Sequence, residues 1–213
     1  MASVNELISK YKKKRLDIKL RLEDFKMMMN EPDEKIFSEL SFCICTPQSR
    51  AESCNLVIKA LENNKILFTG TSRQIRPFMN PVRFADNKAE YIIEARKLFS
   101  DKGRINIKNR IKSFTNPFDA REWLLNNVKG FGMKEASHFL RNIGMGEDLA
   151  ILDRHILKNL YEYGVIEEIP DNLTKNKYLE IEQKMKEFSR IINIPMAELD
   201  LLFWSEETGR IFK

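Results

Sequence analysis

Two residues between Leu125 and His155 have the type and setting for covalent chemistry, Lys134 and Asp153. Lys134 follows closely on Gly132, at the start of a segment where Ala136, Phe139, Leu140 and Ile143 recur at helical spacing. In the first turn of a helix an ammonium meets the positive end of the macrodipole and is electrostatically misplaced. A neutral amine there can attack a sugar carbon and form a Schiff base. Lys129, which precedes the glycines, competes for this role but suits a phosphate contact better. For each lysine the plain alternative is a solvated surface side chain, the usual fate in a chain with 36 Lys and Arg. Asp153 follows the apolar run Leu149-Ala150-Ile151-Leu152 and precedes Ile156, Leu157 and Leu160, again at helical spacing. It is a natural N-cap. Held there near Lys134, its carboxylate can also stabilise positive charge developing on a sugar and help manage the lysine's proton. Asp148, after Gly144-Met145-Gly146-Glu147, reads as a solvated loop residue.

These residues have to be positioned by the segment around Gly130-Phe131-Gly132. Two glycines one residue apart, between two apolar-periodic segments, form the pattern of a helix-hairpin-helix over about 117–142. Gly130 and Gly132 lack a Cβ, so both can take positive φ and turn the backbone while their N–H groups stay exposed. With the start of the following helix, those N–H groups suit a phosphate. Phe131 is expected to turn inward, because an exposed aromatic at a tight turn gains nothing from water. The competing reading is an ordinary turn between two helices of a core.

The block from Gly130 to Gly144, taken with Leu149 to Leu157, resembles the archaeal-type (type 2) 8-oxoguanine DNA glycosylase/AP lyases of the helix-hairpin-helix glycosylase superfamily. The resemblance extends over nearly the whole chain through Glu39 to Cys43, Val82 to Phe84, Lys88 to Ile92 and Leu199 to Trp204. It implies a bifunctional enzyme that excises 8-oxoguanine and nicks the strand by β-elimination, with Lys134 as Schiff-base nucleophile and Asp153 as catalytic carboxylate. Lys129, Gly130 and Gly132 would meet DNA phosphates. It also places Phe84 and Trp204 near the extruded base, and gives the carboxylate of Lys213 a part in recognising that base. Trp204 lies among Leu201, Leu202 and Phe203, so plain core packing is its alternative. The implied partner is double-stranded DNA containing 8-oxoguanine or abasic sites. One departure is the turn Thr46-Pro47-Gln48-Ser49, where close relatives show a Thr-Ala-Asn type sequence. It is nearer to the turn of endonuclease III-like enzymes, which keeps oxidised pyrimidines open as substrates. A non-catalytic helix-hairpin-helix DNA-binding module is the alternative from another class.

Net charge +5 and a pI near 9.0 suit a polyanionic partner without requiring one. Cys43, Cys45 and Cys54 are too few and wrongly spaced for a four-cysteine cluster, so they read as reduced, buried thiols. No metal ligand set and no iron–sulfur or other cofactor is expected, although a monovalent cation bridging the hairpin to a phosphate is compatible with the motif. No stretch reads as a signal peptide or a membrane span, which points to an intracellular, cytoplasmic monomer working on the chromosome.

The fold class is all-α, two-lobed, with the site in the interlobe cleft. Helices are expected over about 4–29, 34–45 and 72–76, and around Leu56 to Leu61 and Tyr91 to Phe99. Residues 77–81 read as an irregular loop. Pro117 starts the first hairpin helix, Thr174 caps a helix running to about 192, and Pro195 opens the last. The basic run Lys10 to Lys14 reads as one solvated helix face. One lobe takes about 1–47 and 131–213, with both termini; the other takes 48–130.

Overall fold

A computed structural model describes residues 2–212, and Lys213, with the role expected for its carboxylate, lies outside the described residues. The described residues are mostly helical, beginning with α1 (Val4–Met27), α2 (Asp33–Cys45), α3 (Ala51–Asn63), α4 (Ile66–Thr69), α5 (Ser72–Ile75) and α6 (Ala85–Leu98). A two-residue antiparallel ribbon, β1 (Ser100–Asp101) and β2 (Arg104–Ile105), separates these from α7 (Ile107–Lys112). Then come α8 (Pro117–Asn127), α9 (Met133–Asn142), α10 (Arg154–Glu162), α11 (Lys175–Ile191) and α12 (Met196–Thr208).

Side-chain caps account for several of these boundaries. Asn116 accepts from the Phe118 N–H at the start of α8, and Thr174 accepts from the Lys177 N–H at the start of α11. The segment after α5 is not the loop expected of it. A 3-10 turn runs over Arg76–Met79 with Pro77 in its first turn, where the missing N–H costs no hydrogen bond. Helix α7 also escapes the apolar pattern, being only six residues long. Its first turn is capped from a distance by Asp33, whose Oδ1 accepts from the Lys108 N–H at 2.8 Å.

Buried apolar side chains sort into two clusters. The first gathers α2, α3, α6, α7, α8 and most of α9, from Ile36 to Leu149. The second gathers α1 with Met133 and the chain from Ala150 to Phe203. Helix α2 lies inside the first cluster, with ten consecutive residues from Ile36 to Cys45 buried between α3, α6, α7 and α9. Helix α9 stands at the junction. Its Arg141 stacks over Phe25 of α1 at 4.9 Å and pairs with Asp200 of α12 at 3.0 Å.

The basic run of α1 is also divided. Lys10 and Lys14 reach Glu206 of α12 at 3.0 and 2.6 Å, whereas Lys12 and Lys13 face solvent. Cys43, Cys45 and Cys54 are buried, and burial pushes the Cys54 thiol up to about 11 and raises Cys45 as well. No helix among the described residues is long and apolar enough to cross a membrane.

Candidate active site

The turn between α8 and α9 sets the position of Lys134. Gly130 has φ +86°, and its Cα lies so close to the Tyr91 ring that a Cβ would fall 2.5 Å from Cδ2. Glycine is required there both by the left-handed backbone and by the space. Phe131 turns inward as expected, 8% exposed and packed against Phe139 with centroids 6.4 Å apart. Gly132 differs from expectation: its φ is −108°, and it serves as N-cap of α9. Its N–H is not left exposed, since Glu135 Oε2 accepts from it at 3.1 Å. The other oxygen of that carboxylate holds Lys134 Nζ at 3.0 Å. Lys134 therefore lies in the first turn of α9, largely covered, with its ammonium anchored beside the helix start.

Asp153 caps α10 through Oδ1, which accepts from the N–H groups of His155 and Ile156 at 2.8 and 2.9 Å. The strand-like segment leading to it is fixed by a buried polar network. Glu182 of α11 accepts from Ala150 N–H at 2.8 Å while binding Arg121 of α8 through both oxygens at 2.6 and 2.9 Å. Tyr178 donates to Ala150 C=O at 2.6 Å and accepts from Leu152 N–H at 3.2 Å. Three main-chain groups of the segment, Ala150 N–H, Ala150 C=O and Leu152 N–H, thus find buried side-chain partners, which limits its freedom to shift Asp153. Asp148 is exposed, as expected of a loop residue, and pairs with Lys186.

Lys134 and Asp153 open into one cavity of about 920 Å³. Trp204 lines it too, partly exposed, whereas its neighbour Phe203 is fully buried core. The Thr46–Ser49 turn forms part of the wall. Phe84 is outside this lining: it is half-exposed at φ +57°, with Arg83 over its ring at 5.5 Å, and it is Arg83 that reaches the cavity. Lys129, Gly130 and Gly132 are not brought to the cavity either. Lys129 is exposed on the hairpin, with Nζ 3.0 Å from Glu94 and over the Tyr91 ring.

Several cavity residues were not singled out from sequence: Glu135, His138, Arg141, Asp200 and Glu207. Helical periodicity was the available signal. Lys134, His138 and Arg141 follow a spacing of four and three along α9, and Asp200, Trp204 and Glu207 repeat it along α12, so each set shares a helix face. His138 is buried with its ring edge-on to Phe42. Burial pushes the Asp200 carboxyl up to about 7; Arg141 opposes that shift and Asp153 adds to it. One cavity therefore collects the largely covered Lys134 side chain, the capping carboxylate of Asp153, the buried Asp200, the Trp204 indole and three further cationic side chains, Arg50, Arg83 and Arg154. That is equipment for a flat, polar substrate attached to phosphates.

Comparison with known proteins fits this geometry. The family model described as 8-oxoguanine DNA glycosylase matches residues 18–194. This chain belongs to that family. It is 44% identical over 210 residues to the 8-oxoguanine DNA glycosylase/AP lyase of Fusobacterium nucleatum, with 98% of this chain and 97% of the relative covered. The enzyme of the same name from Methanocaldococcus jannaschii is 40% identical over 193 residues, covering 91% and 90%. The crystal structure of the Methanocaldococcus jannaschii glycosylase/lyase in complex with a 15mer DNA containing 8-oxoguanine superposes with a TM-score of 0.86 at 38% identity, covering 98% of this chain and 100% of that one. The glycosylase family's helix-hairpin-helix fold is thus present over the whole described chain, with α8, the Gly130 turn and α9 as the hairpin.

Proposed function

We propose that the protein is a bifunctional DNA glycosylase/AP lyase that removes 8-oxoguanine from double-stranded DNA and then nicks the strand. The observation that carries this reading is the meeting of Lys134 and Asp153 in a single cavity lined by Trp204, in a chain that belongs to the 8-oxoguanine DNA glycosylase family. A base inside a duplex cannot reach such a cavity, so the nucleotide has to be extruded into it. On this reading Trp204 offers a flat face for stacking on the extruded base, and the half-exposed Phe84 meets either that base or the neighbouring stack.

The chemistry follows from the residues. As the C1′–N9 bond breaks and its electron pair leaves with the base, positive charge develops on the sugar, and the Asp153 carboxylate stabilises it. The Lys134 amine gives its lone pair to C1′, and ring opening yields an imine. Loss of a C2′ proton then expels the 3′ phosphate, and water hydrolyses the imine to free Lys134. Deprotonation of Lys134 has to precede attack, and Glu135, at 3.0 Å, is the carboxylate in contact with its ammonium. No redox step is involved, and no cofactor is needed to balance it. Lys129 and the exposed hairpin serve phosphate binding on this reading, with the N–H of Gly132 committed to Glu135 rather than to DNA.

The deciding experiment mixes the protein with duplexes bearing 8-oxoguanine, an oxidised pyrimidine or a preformed abasic site, with borohydride present. Covalent trapping on the 8-oxoguanine duplex, with free base released, is the expected result. Preferential excision of the oxidised pyrimidine would transfer the reading to that lesion, and binding without trapping on any duplex would reduce the protein to a DNA-binding module.

A further inference from the structure

Lys88 is the buried lysine that the chemistry above leaves unused. It lies in the first turn of α6, 3% exposed, and its ammonium donates to Cys45 C=O at 2.7 Å, Pro47 C=O at 2.8 Å and Ser49 Oγ at 3.0 Å. All three acceptors are uncharged. Burying an ammonium against neutral acceptors is unfavourable unless the hydrogen bonds are well made, and burial here pushes Lys88 down from the usual lysine range. What the three bonds hold is the turn that walls the cavity.

Ser49 carries the connection onward. Its hydroxyl also accepts from Arg83 N–H at 3.0 Å, and the main-chain N–H of Lys88 donates to Phe84 C=O at 3.0 Å. Lys88 therefore grips both pieces of the rim, the 46–49 turn by its side chain and the Arg83–Phe84 segment by its backbone. Each piece contains a non-glycine residue in the left-handed region, Gln48 at φ +52° and Phe84 at φ +57°. Such backbones persist only where the surroundings over-determine them, and they concentrate at functional sites.

We propose that Lys88 is a positioning residue for base excision, its ammonium locking the Thr46–Ser49 turn and the Arg83–Phe84 segment into one rigid rim against which the extruded nucleotide is aligned. This rests on reading the cavity as the glycosylase site. Base removal requires the whole nucleotide to be oriented, whereas β-elimination at an abasic site requires only an open sugar within reach of Lys134. Loosening the rim separates the two activities.

The test compares wild type, Lys88→Met, Lys88→Arg and Ser49→Ala by single-turnover excision of 8-oxoguanine, nicking at a preformed abasic site, and NMR-detected hydrogen exchange of the Arg83 amide. For Lys88→Met, excision is expected to fall about tenfold or more while abasic-site nicking falls less than about threefold, since small misplacement of a substrate is costly to rate. The Arg83 amide is expected to exchange faster, and Lys88→Arg, which keeps the charge, to recover part of the excision rate. A parallel loss of both activities, or unchanged exchange at Arg83, would overturn the proposal. If Lys88→Met does not fold, Ser49→Ala decides: faster exchange at Arg83 with selective loss of excision supports the locked rim, and no change in either removes it. Should wild type fail to excise 8-oxoguanine, the glycosylase reading fails, and the exchange measurement alone then judges the clamp.

Discussion

Glu135 joins Lys134 to the hairpin: one oxygen of its carboxylate lies 3.0 Å from Lys134 Nζ and the other accepts from Gly132 N–H at 3.1 Å. The side chain that closes the turn thereby also fixes the direction in which the lysine leaves its helix. The anchored geometry of Lys134 is a property of the turn as much as of the helix.

Lys134→Gln should abolish borohydride trapping and strand nicking while leaving affinity for lesion DNA within a small factor, because one cation is lost among several phosphate contacts. Lys129→Gln, which removes an exposed ammonium paired with Glu94, should still trap. Gel analysis of trapped complexes together with a binding titration checks both. The reverse pattern would make Lys129 the nucleophile.

Asp153→Asn should slow base excision by orders of magnitude, since a preorganised charge beside a developing cation contributes several kcal/mol. Thermal stability should change little, because asparagine caps a helix about as well as aspartate and can still accept from His155 and Ile156 N–H. Single-turnover kinetics and a melting curve separate the two effects. A variant that melts early yet stays active per folded molecule would leave Asp153 a purely structural cap.

Gly130→Ala should lower both melting temperature and DNA affinity. The left-handed backbone costs an alanine about 1–2 kcal/mol, and the new Cβ also has to displace the Tyr91 ring. Gly103→Ala is the matched control, with φ +78° and nothing within 4 Å of the added carbon, so it carries the backbone cost alone. Equal melting points for the two variants would show that the Tyr91 contact gives way freely.

Asp200 makes stability depend on pH. Its carboxyl binds a proton more readily in the folded chain, where burial raises it to about 7, than in the unfolded chain, where it has its ordinary value near 3.9. The contribution is therefore fully present below about pH 4 and is lost as pH rises toward 7, with a slope of at most ~1.4 kcal/mol per pH unit. Asp200→Asn should flatten that part of the stability curve while preserving an acceptor for Arg141. Urea unfolding between pH 4 and 8 checks this, and identical pH profiles for the two proteins would contradict the burial argument.

The sequence by itself determined what is local. Phe131 turned inward, Lys134 in a first helical turn and Asp153 as a cap all follow from short-range rules of backbone geometry and end-group pairing, so a window of a few residues suffices to read them. Tertiary structure alone decided which residues share a cavity and how the chain divides. Asp200 of α12 meets Arg141 of α9 although the two lie 59 residues apart in sequence, and α2 is enclosed by α3, α6, α7 and α9, which no short window of sequence reveals. Gly132, whose N–H was expected to stay free, is closed by the carboxylate three residues on, since an accessible partner competes with any ligand for a single donor. The Lys88 clamp was hidden from sequence for the same reason: its three acceptors lie about forty residues away, and two of them are backbone carbonyls, which carry no side-chain signature.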